Sequence, residues 1–292
     1  MDIDYVVAMV FHDDVEWRKN FIKVGSRYNE NNKMEFVRYR SWGTEHLLIR
    51  CVKKFMPWVR NIYVLLAQES QKQAWMDEEG VRVVYHREFM PEWALPTFNS
   101  RAIEMFLKDI PGLSDYFLYG NDDMFPVNML SEEDFFVDGL PCLHHEEKQF
   151  PIVPNNYHIA CLGGLNFVAK EFGQHFEKTW LKGGHSIAPM LKSTCEYLWE
   201  RGGDEIRASI SPFREIKNFN QYIYSWWHHL SGRYVDKMPR RAYKGVKFPI
   251  ADVVSALLSD AQIVCVNDNE CVDNYEEYGA AVIKALNQKL NN

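Results

Sequence analysis

The chain has 292 residues, a net charge of -7, 47% hydrophobic and 25% charged residues, which is the balance of a soluble globular protein with room for one large or two small domains. The acidic balance argues against non-specific nucleic-acid binding, and no apolar run is long enough to span a bilayer. The six cysteines form no CxxC pair and no zinc-site spacing, and the start MDIDYVVAMVFHDD lacks the basic region of a signal peptide, so a cytoplasmic protein is expected.

In chain order, Ile3 to Phe11 reads as a buried strand, and Glu16-Trp17 open a helix. Positions 30 to 33 read as a polar loop. Leu48, Val52 and Phe55 put one apolar face on a helix from Glu45 to Phe55, which Pro57 ends. Asn61 to Ala67 is a second strand, Gln71 to Asp77 a short helix and Val81 to Tyr85 a third strand. A helix from Arg101 to Lys108 follows, with Asn99 or Ser100 as its cap, and then a fourth strand ending at Gly120. These strands are apolar on both faces and alternate with helices, which predicts a mainly parallel sheet covered by helices.

The second half is expected to be largely helical. The segment Leu140 to Tyr157 reads as a loop or short hairpin, Asn166 to Phe176 as a helix, and Gly183-Gly184-His185 as the opening of a helix running through Trp199. Phe213 to Leu230 reads as one long helix, Lys237 to Lys247 as a basic stretch, Ile263 to Val266 as a last strand and Asn274 to Leu290 as a closing helix. The division expected is a single domain: 1–140 as an α/β half, 141–262 as a mostly helical half, and 263–292 as a strand and helix returning to the core.

Asn121, Asp122 and Asp123 directly follow the fourth strand, the position where α/β sheets bind ligands. Paired carboxylates attract a hard divalent cation. Taken alone, the same three residues suit a polar turn with a helix cap at least as well.

With those residues in view, the chain resembles the Stealth family, which includes bacterial capsular polysaccharide phosphotransferases and the lysosomal-enzyme GlcNAc-1-phosphotransferase. Four segments carry the similarity. They are IDYVVAMVFHDDVEW (Ile3 to Trp17), the stretch from RYRSW at Arg38 through LPTFNS, IPGLS and GNDDMF to Phe136, GGHSIAPMLK with SPFREIKNFNQYIY, and VCVNDNE (Val264 to Glu270). The resemblance implies a Rossmann-like, glycosyltransferase-A-like fold. It also implies transfer of a sugar-1-phosphate from a nucleotide-diphospho-sugar donor to a hydroxyl of a glycan or lipid-linked glycan acceptor, with release of nucleoside monophosphate and use of Mg²⁺ or Mn²⁺. Such an enzyme would work in the cytoplasm, at most in peripheral contact with the inner face of the membrane, where the basic stretch could meet headgroups; a solvated basic loop explains that stretch more simply.

The same resemblance assigns candidate roles. Asp122 and Asp123 would hold the metal or the donor diphosphate, with Asp268 as a further ligand. His185 would be the general base, since a neutral imidazole can take a hydroxyl proton near pH 7. Arg214 would clamp phosphate. Asp14, Trp17, Arg38, Arg40, Asn99, Ser100, Asn121, Asn166 and Asn220 would line the substrate site. Simpler readings stand beside several of these: capping for Asn99 and Ser100, a surface ion pair for Arg214, a loop position for His185. Two departures from the family pattern are visible. Phe11 and Ser41 stand where the family carries acids. The alternatives are a metal-dependent glycosyltransferase releasing nucleoside diphosphate, whose acidic motif looks much like NDD, and a sugar-nucleotide-binding homologue inactivated by these two changes.

Overall fold

The computed structural model describes residues 1–25, 36–268 and 272–292; the polar loop expected at 30–33, and the end of the fourth motif at Asn269 and Glu270, lie outside them. The chain runs β1 (Ile3–Ala8), α1 (Val15–Gly25), α2 (Glu45–Phe55), β2 (Ile62–Leu66), β3 (Val81–Tyr85), α3 (His86–Phe89), α4 (Ser100–Glu104), β4 (Tyr116–Gly120) and β5 (Met124–Pro126). It continues through β6 (Phe136–Val137), β7 (Leu140–Leu143), β8 (His145–Gln149), α5 (Asn156–Ala169), β9 (Thr179–Gly183), β10 (Ala188–Leu191) and α6 (Lys192–Ser209). It ends with α7 (Tyr222–Leu230), β11 (Val235–Asp236), β12 (Arg241–Gly245), α8 (Ile250–Leu258), β13 (Ile263–Asn267) and α9 (Tyr275–Asn291).

The central sheet has the order β10-β4-β1-β2-β3. Four strands are parallel and the edge strand β10 is antiparallel to β4. Neighbours β3-β2-β1-β4 in that order make a Rossmann-like arrangement, with ligands expected beyond the carboxyl ends of the strands. Alternate side chains of β1 and β2 feed two cores. Tyr5, Val7, Val64 and Leu66 pack with α2, α8, α9 and β13, while Val6, Tyr63 and Leu65 pack with α5, α6 and α7. Burial on both faces is why these strands read as continuous apolar runs. Among the described residues, no helix is long and apolar enough to cross a membrane.

The second half departs from the periodicity in several places. Gly183-Gly184-His185 joins two strands, β9 and β10, and the helix begins only at Lys192. Pro189 fits there because β10 is an edge strand, where a missing N–H costs little. The helix expected over 166–176 lies earlier, from Asn156 to Ala169, capped by the Asn155 side chain, which accepts from His158 N at 3.0 Å. Of the long helix expected from Phe213, only Tyr222–Leu230 is helical. Upstream, Asn218 bonds the backbone instead, accepting from Glu215 N and donating to the Ser209 carbonyl. Asn and Asp side chains compete with helix formation in this way. The Gln71–Asp77 helix is two 3-10 turns, Glu69–Gln71 and Ala74–Asp77. The basic stretch is partly a strand, β12, paired with β13.

At the amino end of the sheet, Asp4 is fully buried and tied to two other segments. Arg60 donates to it through Nε (2.9 Å) and Nη2 (2.5 Å), Asn61 Nδ2 donates at 3.2 Å, and Ser114 N donates at 2.8 Å. These bonds join β1 to the chain entering β2 and β4. At the other end, Gly120 is required by the Tyr5 phenol, which would overlap a Cβ there; the glycine serves this close packing, not a sharp turn.

Arg60→Ala, which strands the buried carboxylate, should lower unfolding free energy by about 3 kcal/mol, and Asp4→Asn by less, as measured by urea unfolding. Gly120→Ala should cost about 2 kcal/mol by overpacking. Tyr5→Phe, which deletes the nearest atom, should recover part of that loss in the double variant.

Candidate functional site

The turn after β4 carries Asn121, Asp122 and Asp123 directly into β5, which pairs antiparallel with β13, Met124 opposite Cys265. Val266 N donates to the Asp123 carbonyl at 2.8 Å, so the turn is held by backbone bonds on its far side. β13 then delivers Asn267 and Asp268 next to the same turn. Antiparallel pairing of β10 with β4 brings His185, three residues before β10, back to the carboxyl end of β4.

These elements enclose one cleft of about 270 Å³. Of the residues expected to act, Arg38, Arg40, Ser100, Asn121, Asp122, Asp123, His185, Arg214 and Asp268 all line it. Trp17 borders it too, but it is 2% exposed and stacked against Phe21, so its main work is packing.

Four carboxylates face the cleft. Asp122 is open to the cleft; the enclosing walls, then Asp123, Glu45 and Asp268, push its carboxyl well above the usual carboxylate range. Asp123 Oδ2 accepts from Cys265 Sγ and Asn267 Nδ2, both at 3.4 Å, while its Oδ1 is buried without a partner among the described residues. Asp268 is raised by burial, against the opposing pull of Tyr275 Oη (3.1 Å) and Arg40. Arg40 Nε lies 3.6 Å from Asp268 Oδ2, and its guanidinium sits 3.8 Å over the Tyr275 ring. Glu45, the first residue of α2, completes the group and is 5% exposed.

An orphaned carboxylate oxygen within a group of mutually repelling acids is the environment a divalent cation relieves, and oxygen donors suit a hard one. Among the described residues, Asp123, His185 and Cys265 also place one ligand atom each within 4.8 Å of one another. The Cys265 thiol is held protonated by burial and by Asp123, and it serves that carboxylate as a hydrogen-bond donor.

His185 is half-buried. Burial lowers its basicity and Asp123 opposes that shift, while Arg241 and Arg214 add to it. Its carbonyl accepts from Arg241 Nη1 at 3.3 Å, and its ring meets Tyr243 edge-on at 5.6 Å. Arg214 donates through Nη2 to Ser100 Oγ at 2.7 Å. Arg38 and Arg101 add positive charge around it, opposed by the buried Glu104. One end of the cleft is therefore acidic and the adjacent wall basic.

Four expected site residues do structural work instead. Asn99 is fully buried; it caps α4 and donates to the carbonyls of Ser211 and Phe213 and to Asn218. It thereby positions the segment bearing Arg214 without reaching the cleft. Asp14 accepts from Trp17 N at 2.6 Å as the cap of α1. Asn166 staples Phe176, donating to its carbonyl and accepting from its N–H. Asn220 donates to Cys161 Sγ at 3.6 Å and accepts from Tyr222 N. All four are polar groups that found protein partners, which a motif position alone does not distinguish from ligand contacts. Motif reading in turn passed over Glu45, Gln71 and His86, which lie within the stretch from Arg38 to Phe136, and Cys265, which lies within VCVNDNE. Of the two departures, Ser41 lines the cleft, and Phe11 packs partly buried against the core.

A family model described as Stealth protein CR2, conserved region 2, matches residues 38–142. The receptor polysaccharide phosphotransferase WefC of Streptococcus oralis is 31% identical, over 99% of this chain and 97% of that protein. The capsular polysaccharide phosphotransferase WcwK of Streptococcus pneumoniae is 28% identical over 99% and 96%. Among solved structures, the galactosyltransferase LgtC aligns with a TM-score of 0.44 at 10% identity, covering 100% of this chain and 95% of that one. Identity at this level over nearly the whole length of both chains, added to the matched conserved region, makes this protein a member of the Stealth family.

Proposed function

We propose that the protein is a sugar-phosphate transferase of surface polysaccharide synthesis, the chemistry named for its phosphotransferase relatives. It would move a sugar-1-phosphate from a nucleotide-diphospho-sugar to a hydroxyl of a glycan or lipid-linked glycan. The observation that carries this reading is the meeting of Asp122, Asp123, Asp268, His185 and Arg214 in a single cleft at the carboxyl end of a Rossmann-like sheet.

In the reaction the acceptor hydroxyl oxygen forms a bond to the phosphorus that carries the sugar. The bond from that phosphorus to the bridging oxygen breaks, and the electron pair leaves on the nucleoside monophosphate. The hydroxyl proton passes to His185, whose neutral ring is free to accept it. Arg214, fixed by Ser100, sits on the basic wall where the charge of the diphosphate falls. Asp122, Asp123 and Asp268 would hold Mg²⁺ or Mn²⁺, which supplies charge neutralisation for the diphosphate when bound. Asn121 can hydrogen-bond the donor beside them. The working location is the cytoplasm, with at most peripheral contact at the inner face of the membrane.

Incubation with UDP-, GDP- and CDP-linked sugars, a divalent cation and a surface-glycan acceptor should yield nucleoside monophosphate and a phosphodiester product; release of nucleoside diphosphate would overturn the proposal. His185→Ala should reduce kcat at least about 100-fold, the scale of general-base catalysis. Arg214→Lys should not restore the activity lost in Arg214→Ala, because lysine lacks the planar fork. Asp123→Asn should weaken Mn²⁺ binding in calorimetric titration of the enzyme alone.

A further inference from the structure

Two buried polar side chains of the cleft, on segments that follow β2 and β3, are not used by phosphoryl transfer. Gln71 follows β2 and is 0% exposed; His86 follows β3 and is 5% exposed; both line the cleft. Gln71 Nε2 donates to the Phe11 carbonyl at 3.1 Å. That bond fixes the orientation of the amide and leaves Oε1 as an acceptor with no donor among the described residues. His86 Nε2 is also buried and without a partner among the described residues. A buried polar atom left unpaired carries its desolvation cost uncompensated. Native proteins rarely keep two in one place unless something else fills the need.

We propose that Gln71 and His86 read the nucleobase of the donor, an assignment that rests on the cleft being a nucleotide-sugar site. Three features favour a base over a sugar or phosphate. Burial pushes the His86 imidazole down to about 4, so the ring is neutral near pH 7 and offers one donor and one acceptor nitrogen. With Gln71 Oε1 the pair presents a carbonyl acceptor and a ring nitrogen able to donate. That matches a base edge carrying an N–H next to an acceptor, and it brings no charge to a phosphate. Ala8, Val10 and Ala67 line the same cleft with apolar surface suited to a flat ring. Position agrees as well. β3 lies three strands from β4 in the sheet order, so His86 is roughly 14 Å along the sheet from the aspartate turn at the usual strand spacing. A nucleoside diphosphate spans a distance of that order between base edge and outer phosphate.

The test is calorimetric titration of the intact protein with UMP, CMP, GMP, AMP and ribose 5-phosphate. We expect at least one nucleotide to bind about tenfold or more tightly than ribose 5-phosphate. Gln71→Met and His86→Phe should each remove about tenfold of that preference, the size of one lost hydrogen bond to a buried partner. Both should leave ribose 5-phosphate affinity unchanged. In the unsubstituted protein, the His86 ring ¹⁵N resonances should shift with the preferred nucleotide and not with ribose 5-phosphate. Equal binding of all five ligands, full retention of preference in both variants, or unmoved His86 resonances would each overturn the assignment while leaving the phosphate chemistry intact. Failure of every nucleotide and of ribose 5-phosphate to bind would overturn the assignment together with the donor reading beneath it.

Discussion

The antiparallel pairing of β5 with β13 is the contact on which the site depends. It clamps the turn after β4 between two sheets, with Val266 N bonded to the Asp123 carbonyl. Asp122 and Asp123 arrive from one side of that clamp and Asp268 from the other, and Glu45 closes the ring from α2. Nothing local favours this gathering of acids, since like charges at close range repel. It persists because the surrounding elements are held by their own burial. β5, β13, α2, α8 and α9 share one continuous apolar core with the central sheet.

The basic wall is built separately. Arg214 lies on an irregular segment whose shape is set from behind by buried amides. Asn99 and Asn218 bond the backbone of Ser209, Ser211 and Phe213, and Phe98 N bonds the Pro212 carbonyl. His185 arrives by a third route, on the link between β9 and β10, with Arg241 holding its carbonyl. The cleft is thus the junction of three independently supported segments, and rigid support behind each is what holds reactive groups in fixed relative positions.

Much of the first half was legible in the residues. Strands apolar on both faces, the apolar stripe of α2 and the polar turn after β4 each follow from local pattern, because a parallel sheet covered on both sides imposes that pattern directly. The second half was less legible. Asn155, Asn166, Asn218 and Asn220 direct the backbone through side-chain bonds, and such bonds leave no periodic trace. The strands flanking His185 are short and one carries a proline, so their neighbours in space, and not their composition, make them strands.

By itself the sequence determined the alternation of strand and helix, the acidic turn and the kinship that names His185 and Arg214, because each is written in contiguous residues. Only the tertiary structure decided which polar residues of the motifs face the cleft. It kept Asp122, Asp123, His185, Arg214 and Asp268 together, turned Asp14, Asn99, Asn166 and Asn220 into structural bonds, and added Glu45, Gln71 and His86. The reason is physical: an amide or carboxylate satisfies the same hydrogen-bonding need with protein or with ligand. Which of the two it meets depends on the groups that folding brings opposite it, from positions far away along the chain.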